Sequence, residues 1–170
     1  MGEYASEKGR QMVYALRSLF DGLEGFKVYE TGYDGPKTAM ITTKEGKEIR
    51  FDMLMKQEIS GGIHYLCESK FRADSSQKSG VKSEFKDFLR KACETLPYVL
   101  GKYGENHFCF LFISSIPFDI WEEDVREHDK LIGMIDDEEC KTNIHILARH
   151  IRLMILPNWM IAIQQEVSGH

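Results

Sequence analysis

Apolar positions along the chain follow two periods in turn. Over residues 6–20, Met12, Val13, Leu16, Leu19 and Phe20 recur at helical spacing, with Ser6 at a capping position and Glu7 in the first turn. A helix is predicted there, closed by Gly22 and Gly25. The period then shortens to two. Strands are predicted over 26–33, 38–43 and 48–55, divided by the turn compositions Asp34-Gly35-Pro36 and Lys44-Glu45-Gly46-Lys47. Gly61-Gly62 precedes a fourth strand over 63–71. A polar loop over 72–80 leads into a long helix over 81–100, whose core face is Phe85, Phe88, Leu89, Ala92 and Leu96. Pro97 is expected to kink or shorten it. The run 107–115 is continuously apolar, as in a strand buried on both faces. After Pro117 a helix is predicted over 120–132. The stretch 136–156 opens on four acids and carries Arg149, His150 and Arg152 near its end, a polarity that suits a helix dipole. A strand over 151–155 is the alternative there, and 159–164 reads as a last edge strand. This order predicts a mixed α/β domain, a central mixed sheet of four to five strands flanked by helices.

Composition narrows the class. With 170 residues, 42% of them hydrophobic and 11% aromatic against a net charge of −5, the chain is long and apolar enough to fold around a core without a disulfide or metal staple. The longest apolar runs, 108–113 and 153–156, fall far short of the ~20 residues of a membrane span. Met1 to Glu7 lacks the basic segment and apolar core of a signal peptide, so a cytoplasmic protein is expected. The 4 cysteines form no Cys-x-x-Cys pair and stand at no zinc spacing from a histidine, and buried reduced thiols are expected. Neither a Gly-x-Ser-x-Gly elbow, a P-loop nor a Gly-x-Gly-x-x-Gly turn occurs, which leaves serine hydrolase, nucleotide hydrolase and dehydrogenase chemistry without support.

One constellation stands out. Asp52 lies inside the apolar segment Ile49-Arg50-Phe51-Asp52-Met53-Leu54-Met55, and Glu68 and Lys70 lie inside Tyr65-Leu66-Cys67-Glu68-Ser69-Lys70-Phe71. Charges in the middle of core-like strands are costly unless paired or bound to a metal. If the two strands pair antiparallel about the loop 57–61, partners sum to roughly 120, so Asp52 faces Glu68 and Lys70 faces Arg50. Opposite residues share a face, with Cβ atoms ~4.5–5.5 Å apart. Asp52, Glu68 and Lys70 then emerge together, and Phe51, Met53, Met55, Cys67 and Phe71 form the opposite, core face. Two facing carboxylates repel unless a cation lies between them. A hard divalent ion such as Mg²⁺, with waters completing its shell, resolves this, and a neighbouring lysine can serve an attacking water or a phosphate. These are the parts phosphodiester hydrolysis needs. The same residues also suit a structural ion-pair cluster in which Lys70, with Arg50 and Arg72 close by, neutralises both acids.

Asp52, fifteen residues and then Glu68-Ser69-Lys70 resemble the Asp…(Asp/Glu)-x-Lys signature of the PD-(D/E)xK nuclease superfamily. The element order over about residues 5–116 is similar to that family's restriction-endonuclease-like core, with 117–166 as a C-terminal extension of one domain spanning 1–170. The proline that precedes the Asp in many members is replaced here by Phe51. The resemblance implies that Asp52 and Glu68 bind Mg²⁺, with Mn²⁺ as a substitute, and that Lys70 serves the water or the scissile phosphate. It further implies that Glu7, from the first helix, is an added metal ligand. By analogy it implies a DNA endonuclease of the kind found as an effector in bacterial restriction or antiphage defence.

Lys78, Lys82, Lys86 and Arg90 recur along one face of the long helix and, with Lys70 and Arg72, form a positive strip suited to a phosphate backbone. An ordinary solvated helix face, eased by Glu84 and Asp87, is the plain reading of the same pattern. His64 falls on the Asp52 face and is expected to be a partly buried, hydrogen-bonded histidine. The five-residue spacing of His145 and His150 fits no shared metal. DNA rather than RNA is the expected partner, delivered by a homo-oligomer, a partner subunit or a further domain, since an acidic surface gives little nonspecific affinity. The rival from another class is a non-catalytic nucleic-acid-binding or protein-interaction scaffold on the same fold.

Overall fold

A computed structural model of the chain describes residues 3–160, with side chains from Glu7 onward except Ser60. Helix α1 (Glu3–Asp21) is followed by β1 (Phe26–Thr31), β2 (Met40–Thr42), β3 (Glu48–Arg50), β4 (Met53–Gln57) and β5 (Ile63–Lys70). Helix α2 (Lys78–Tyr103), β6 (Phe108–Ser114), the short helices α3 (Glu122–Val125), α4 (His128–Ile132), α5 (Glu138–Lys141) and α6 (Ile144–His150), and β7 (Ile151–Ile155) complete the order. Strands β1, β4, β5, β6 and β7 lie side by side in that order. The first three pair antiparallel and the last three parallel, a mixed five-stranded sheet. Strands β2 and β3 form a separate two-stranded ribbon.

Alternating side chains along the sheet feed two cores. Leu54, Leu66, Phe110 and Phe112 point to the α2 side, where they meet Phe85, Phe88 and Leu89. Met53, Met55, Cys67, Leu111 and Ile113 point to the other side, against Val13, Leu16 and Phe20 of α1. Strand β6 is buried at every position, which is why its sequence shows no alternation. Phenylalanine dominates the α2 side. Phe51, Phe85, Phe88, Phe110, Phe112 and Phe118 are all fully buried, each contributing about 1.5–3 kcal/mol by leaving water.

Several elements differ from the sequence pattern for identifiable reasons. Helix α1 begins at Glu3, so Ser6 lies within it rather than capping it. Helix α2 passes through Pro97 to Tyr103. The ring faces solvent while Leu96 and Val99 stay buried, and packing outweighs the one backbone hydrogen bond that Pro97 cannot make. The helix expected over 120–132 is divided into α3 and α4; Asp124 caps the start of α3 by accepting from the Trp121 amide at 2.9 Å, and also accepts from Lys130 of α4 at 2.9 Å. The stretch 136–156 divides into α5, α6 and β7, the strand alternative, since Ile151 to Ile155 find a parallel partner in β6. Residues 158–160 form a helical turn, and the rest of the edge strand expected over 159–164 lies outside the described residues. Cys93 and Cys140 are disulfide-bonded, with Cα atoms 5.6 Å apart, where reduced thiols were expected; α2 and α5 pack Cys93 beside Cys140 in one core. Among the described residues no helix is long and apolar enough to cross a membrane.

The most consequential difference is at Phe51-Asp52. The single strand expected over 48–55 is two strands in two sheets, with a bend between them. Gly32 donates to the Asp52 carbonyl at 2.9 Å and Phe51 donates to the Ala39 carbonyl at 2.8 Å, which turns the chain from the ribbon into the main sheet. A Cβ on Gly32 would meet the Phe51 carbonyl oxygen at 2.8 Å, so this close approach requires glycine.

Candidate active site at the carboxyl end of the sheet

The β4–β5 register follows the sum of 120: Met53 faces Cys67, Leu54 faces Leu66 and Met55 faces Tyr65. Its continuation to Asp52 is a backbone hydrogen bond, Asp52 N to the Cys67 carbonyl at 3.0 Å. Beyond that point the bend ends the pairing. Arg50 turns away to the Pro36 carbonyl, so the expected Arg50–Lys70 pair does not form. Phe51 joins the α2-side core, with its ring 6.1 Å from that of Phe110, and not the Met53–Met55–Cys67 face. The reversal has a simple cause: a bend breaks the two-residue alternation.

The structure brings Asp52, Glu68 and Lys70 together. Asp52 is half-buried; its Oδ2 accepts from the Ser69 amide at 2.8 Å and the Ser69 hydroxyl at 3.3 Å. Glu68 is 5% exposed. Its Oε1 lies 2.8 Å from Lys91 Nζ on α2, and its Oε2 lies 3.8 Å from Lys70 Nζ. Burial, and then the charge of Asp52, pushes the Glu68 carboxyl up to about 7, although Lys91 and Lys70 pull the other way. Burial, followed by the same two acids, raises the Tyr33 phenol.

A cleft of about 430 Å³ is lined by Lys8 and Gly9 of α1, Tyr33, Asp52, Ser69, Lys70, Arg72 and Glu84 of α2. Gly9 lets the Tyr33 hydroxyl lie against the helix, because a Cβ there would approach it to 2.8 Å. Glu68 is not on the cleft wall. It is buried, in contact with Lys70 and Lys91. A larger cavity of about 530 Å³ lies between the end of α1 and β7. Its charged groups answer each other, Arg149 with Glu105 and Arg152 with Glu122, so they offer a ligand little.

The remaining predicted residues scatter. Glu7 pairs with Arg10 at 2.6 Å and is not on the cleft wall; α1 presents Lys8 there instead. Of the basic strip, Lys70 and Arg72 line the cleft, and Arg72 is ion-paired with Glu84. Lys78 is bound to Asp119 at 3.1 Å and Arg90 lies 3.7 Å from Asp87, while Lys82 and Lys86 are exposed along α2. His64 stacks on Tyr103 with ring centroids 4.0 Å apart, and its pKa is lowered chiefly by burial. His150 stacks on Phe108 and bonds the Ile146 carbonyl at 2.7 Å, a structural role.

Lys91 was not among the residues the pattern singled out. The signal for it was present: Glu84, Phe88, Lys91 and Thr95 stand at helical spacing on the edge of the buried face, so a lysine there needs an acidic partner.

Asp52 and Glu68 are the two candidate donors for a divalent ion; among the described residues no group of three or more His, Cys, Asp or Glu side chains is placed to hold one. Asp52 Oδ1 accepts no hydrogen bond among the described residues, and Glu68 Oε2 has only the longer Lys70 contact. Two carboxylates, each with an oxygen to give, beside an open cleft suit a hard ion that keeps several waters. No protein-family model matches the chain, and no curated protein matches it either.

Proposed function

We propose that this chain is a Mg²⁺-dependent nuclease of the PD-(D/E)xK kind, on a restriction-endonuclease-like fold, and that it hydrolyses phosphodiester bonds in DNA. The observation that carries the reading is the convergence of Asp52, Glu68 and Lys70 at the carboxyl end of β5, with Asp52 and Lys70 on the wall of a cleft that Lys8 and Arg72 also line. Asp52 and Glu68 would hold Mg²⁺, or Mn²⁺ in its place. When bound, the ion supplies Lewis acidity and a more acidic water. Lys70 orients that water or takes up charge on the phosphate. Ser69 fixes the Asp52 carboxylate through two hydrogen bonds. Lys8 and Arg72 line the approach and attract the phosphodiester backbone. Glu7 has no part in this arrangement. Lys82 and Lys86 extend the positive surface along α2, with a partner subunit or second copy delivering the substrate.

A second reading has one observation in its favour: Glu68 is already met by two ammonium groups, as in a self-neutralised structural cluster. On that reading the domain is a scaffold that binds DNA or protein without cutting. Cleavage of supercoiled plasmid and linear duplex with Mg²⁺, with Mn²⁺ and with EDTA separates the two, beside Asp52→Ala and Lys70→Ala. Metal-dependent cleavage that both substitutions abolish, with folding intact by circular dichroism, supports the nuclease. Full activity in either variant refutes the assignment, and metal-independent DNA binding without cleavage favours the scaffold.

A further inference from the structure

Lys91 ties together the two segments that carry the carboxylates. Its Nζ lies 2.8 Å from Glu68 Oε1 and 2.9 Å from the Arg50 carbonyl oxygen, two residues before Asp52. The ring of Phe51 lies beneath it, 5.9 Å to the centroid. A carboxylate oxygen, a backbone carbonyl and an aromatic face form a cradle for a cation. The ammonium fills it.

The rest of the site cannot support much more positive charge. Among the described residues, no group of three or more His, Cys, Asp or Glu side chains is placed to hold an ion. Glu84, the other acid at the cleft, is balanced by Arg72 at Oε1, and its buried Oε2 accepts no hydrogen bond among the described residues. Asp52 and Glu68 bring two negative charges, and Lys70 and Lys91 already balance them. One divalent ion leaves an excess that a phosphodiester substrate can answer. Two such ions, ~3.5–4 Å apart as in two-metal sites, would share a single pair of carboxylates with two ammonium groups.

We propose that the Lys91 ammonium stands in the place of a second divalent cation, so that the site takes a single ion. The proposal rests on the metal-binding reading given above. Lys91 is thereby a positioning residue. It occupies Oε1 of Glu68 and the Arg50 carbonyl, and directs the remaining oxygen of Glu68 and the carboxylate of Asp52 to one ion.

The test counts bound Mn²⁺ by the electron paramagnetic resonance of the free ion, without substrate. Wild type and Lys91→Arg are expected to bind one Mn²⁺ per chain and Asp52→Asn none. Lys91→Ala, which empties the cradle, is expected to bind two. Lys91→Ser carries the same expectation should the alanine variant fail to fold, with folding read by circular dichroism. Two ions on wild type or on Lys91→Arg overturn the proposal. One ion on both wild type and Lys91→Ala overturns the role of Lys91 and leaves the metal reading standing. No ion on wild type overturns the metal reading itself, and this proposal with it.

Discussion

Removing the charge of Glu68 should make the metal-free protein more stable at alkaline pH. Glu68 is almost wholly buried, and burial together with Asp52 raises its carboxyl from 4.5 to about 7. The sign follows from linkage: a folded-state pKa above the unfolded value means that the native state holds the proton more tightly. The contribution of Glu68 to stability is therefore fully present below about 4.5, declines as pH rises towards about 7, and is lost above it. A shift of that size corresponds to about 3 kcal/mol, since each unit is about 1.4 kcal/mol. Glu68→Gln keeps the shape and removes the charge. Part of the gain is offset by the lost partner of Lys91. That ammonium is a third exposed and retains the Arg50 carbonyl at 2.9 Å, so it is not stranded. A net gain of about 1–3 kcal/mol at pH 8 raises Tm by roughly 3–8 °C for a domain of this size. Thermal melts in EDTA at pH 8 and pH 5 check this, with the difference shrinking at the lower pH. Mg²⁺ should stabilise the wild type at pH 8 and leave the variant unmoved. A variant less stable than wild type in EDTA at pH 8 would refute the reasoning, because the ion pair with Lys91 would then outweigh the burial of the charge.

Other expectations follow from the bend and the cores. Gly32→Ala places a methyl 2.8 Å from the Phe51 carbonyl and should cost about 1–3 kcal/mol by chemical denaturation while weakening Mn²⁺ binding; unchanged values would show that the bend yields freely. Phe51→Ala opens a hole on the α2 side of the sheet beside Phe110 and should cost about 3–5 kcal/mol, whereas burial of Phe51 on the α1 side would have left Phe110 unaffected. Peptide mapping without reductant should recover Cys93 joined to Cys140. Reduction should then lower stability by about 2–4 kcal/mol, an effect absent in Cys93→Ser.

Much of this fold was legible because its signals are local. Phe85, Phe88, Leu89, Ala92 and Leu96 mark one face of α2 by spacing alone, and unbroken apolarity identifies β6 as a strand buried on both faces. The β4–β5 register came from a turn and a parity, both short-range quantities. Asp52, Glu68 and Lys70 stood out because charge in an apolar strand is expensive wherever it occurs. What failed was whatever depended on a distant partner. The polarity of residues 136–156 left helix and strand both open for Ile151 to Ile155, and β6, by offering a parallel partner, decides for β7. Cys93 and Cys140 are 47 positions apart, and no spacing rule joins them.

By itself, then, the amino-acid sequence determined the mixed α/β class, the pairing of the central hairpin and the identity of three charged residues that share its end. The tertiary structure alone decided where the hairpin stops being a hairpin. Gly32 and Ala39 capture the Asp52 and Phe51 backbone, which turns Phe51 into the other core and leaves Asp52 on the wall of a cleft. It also decided the partner of Glu68, since Lys91 is brought to it by the packing of α2 on the sheet and not by sequence spacing. The physical reason is common to both. Periodicity records which side of its own element a residue faces, whereas the partner that neutralises a buried charge is set by how separate elements pack.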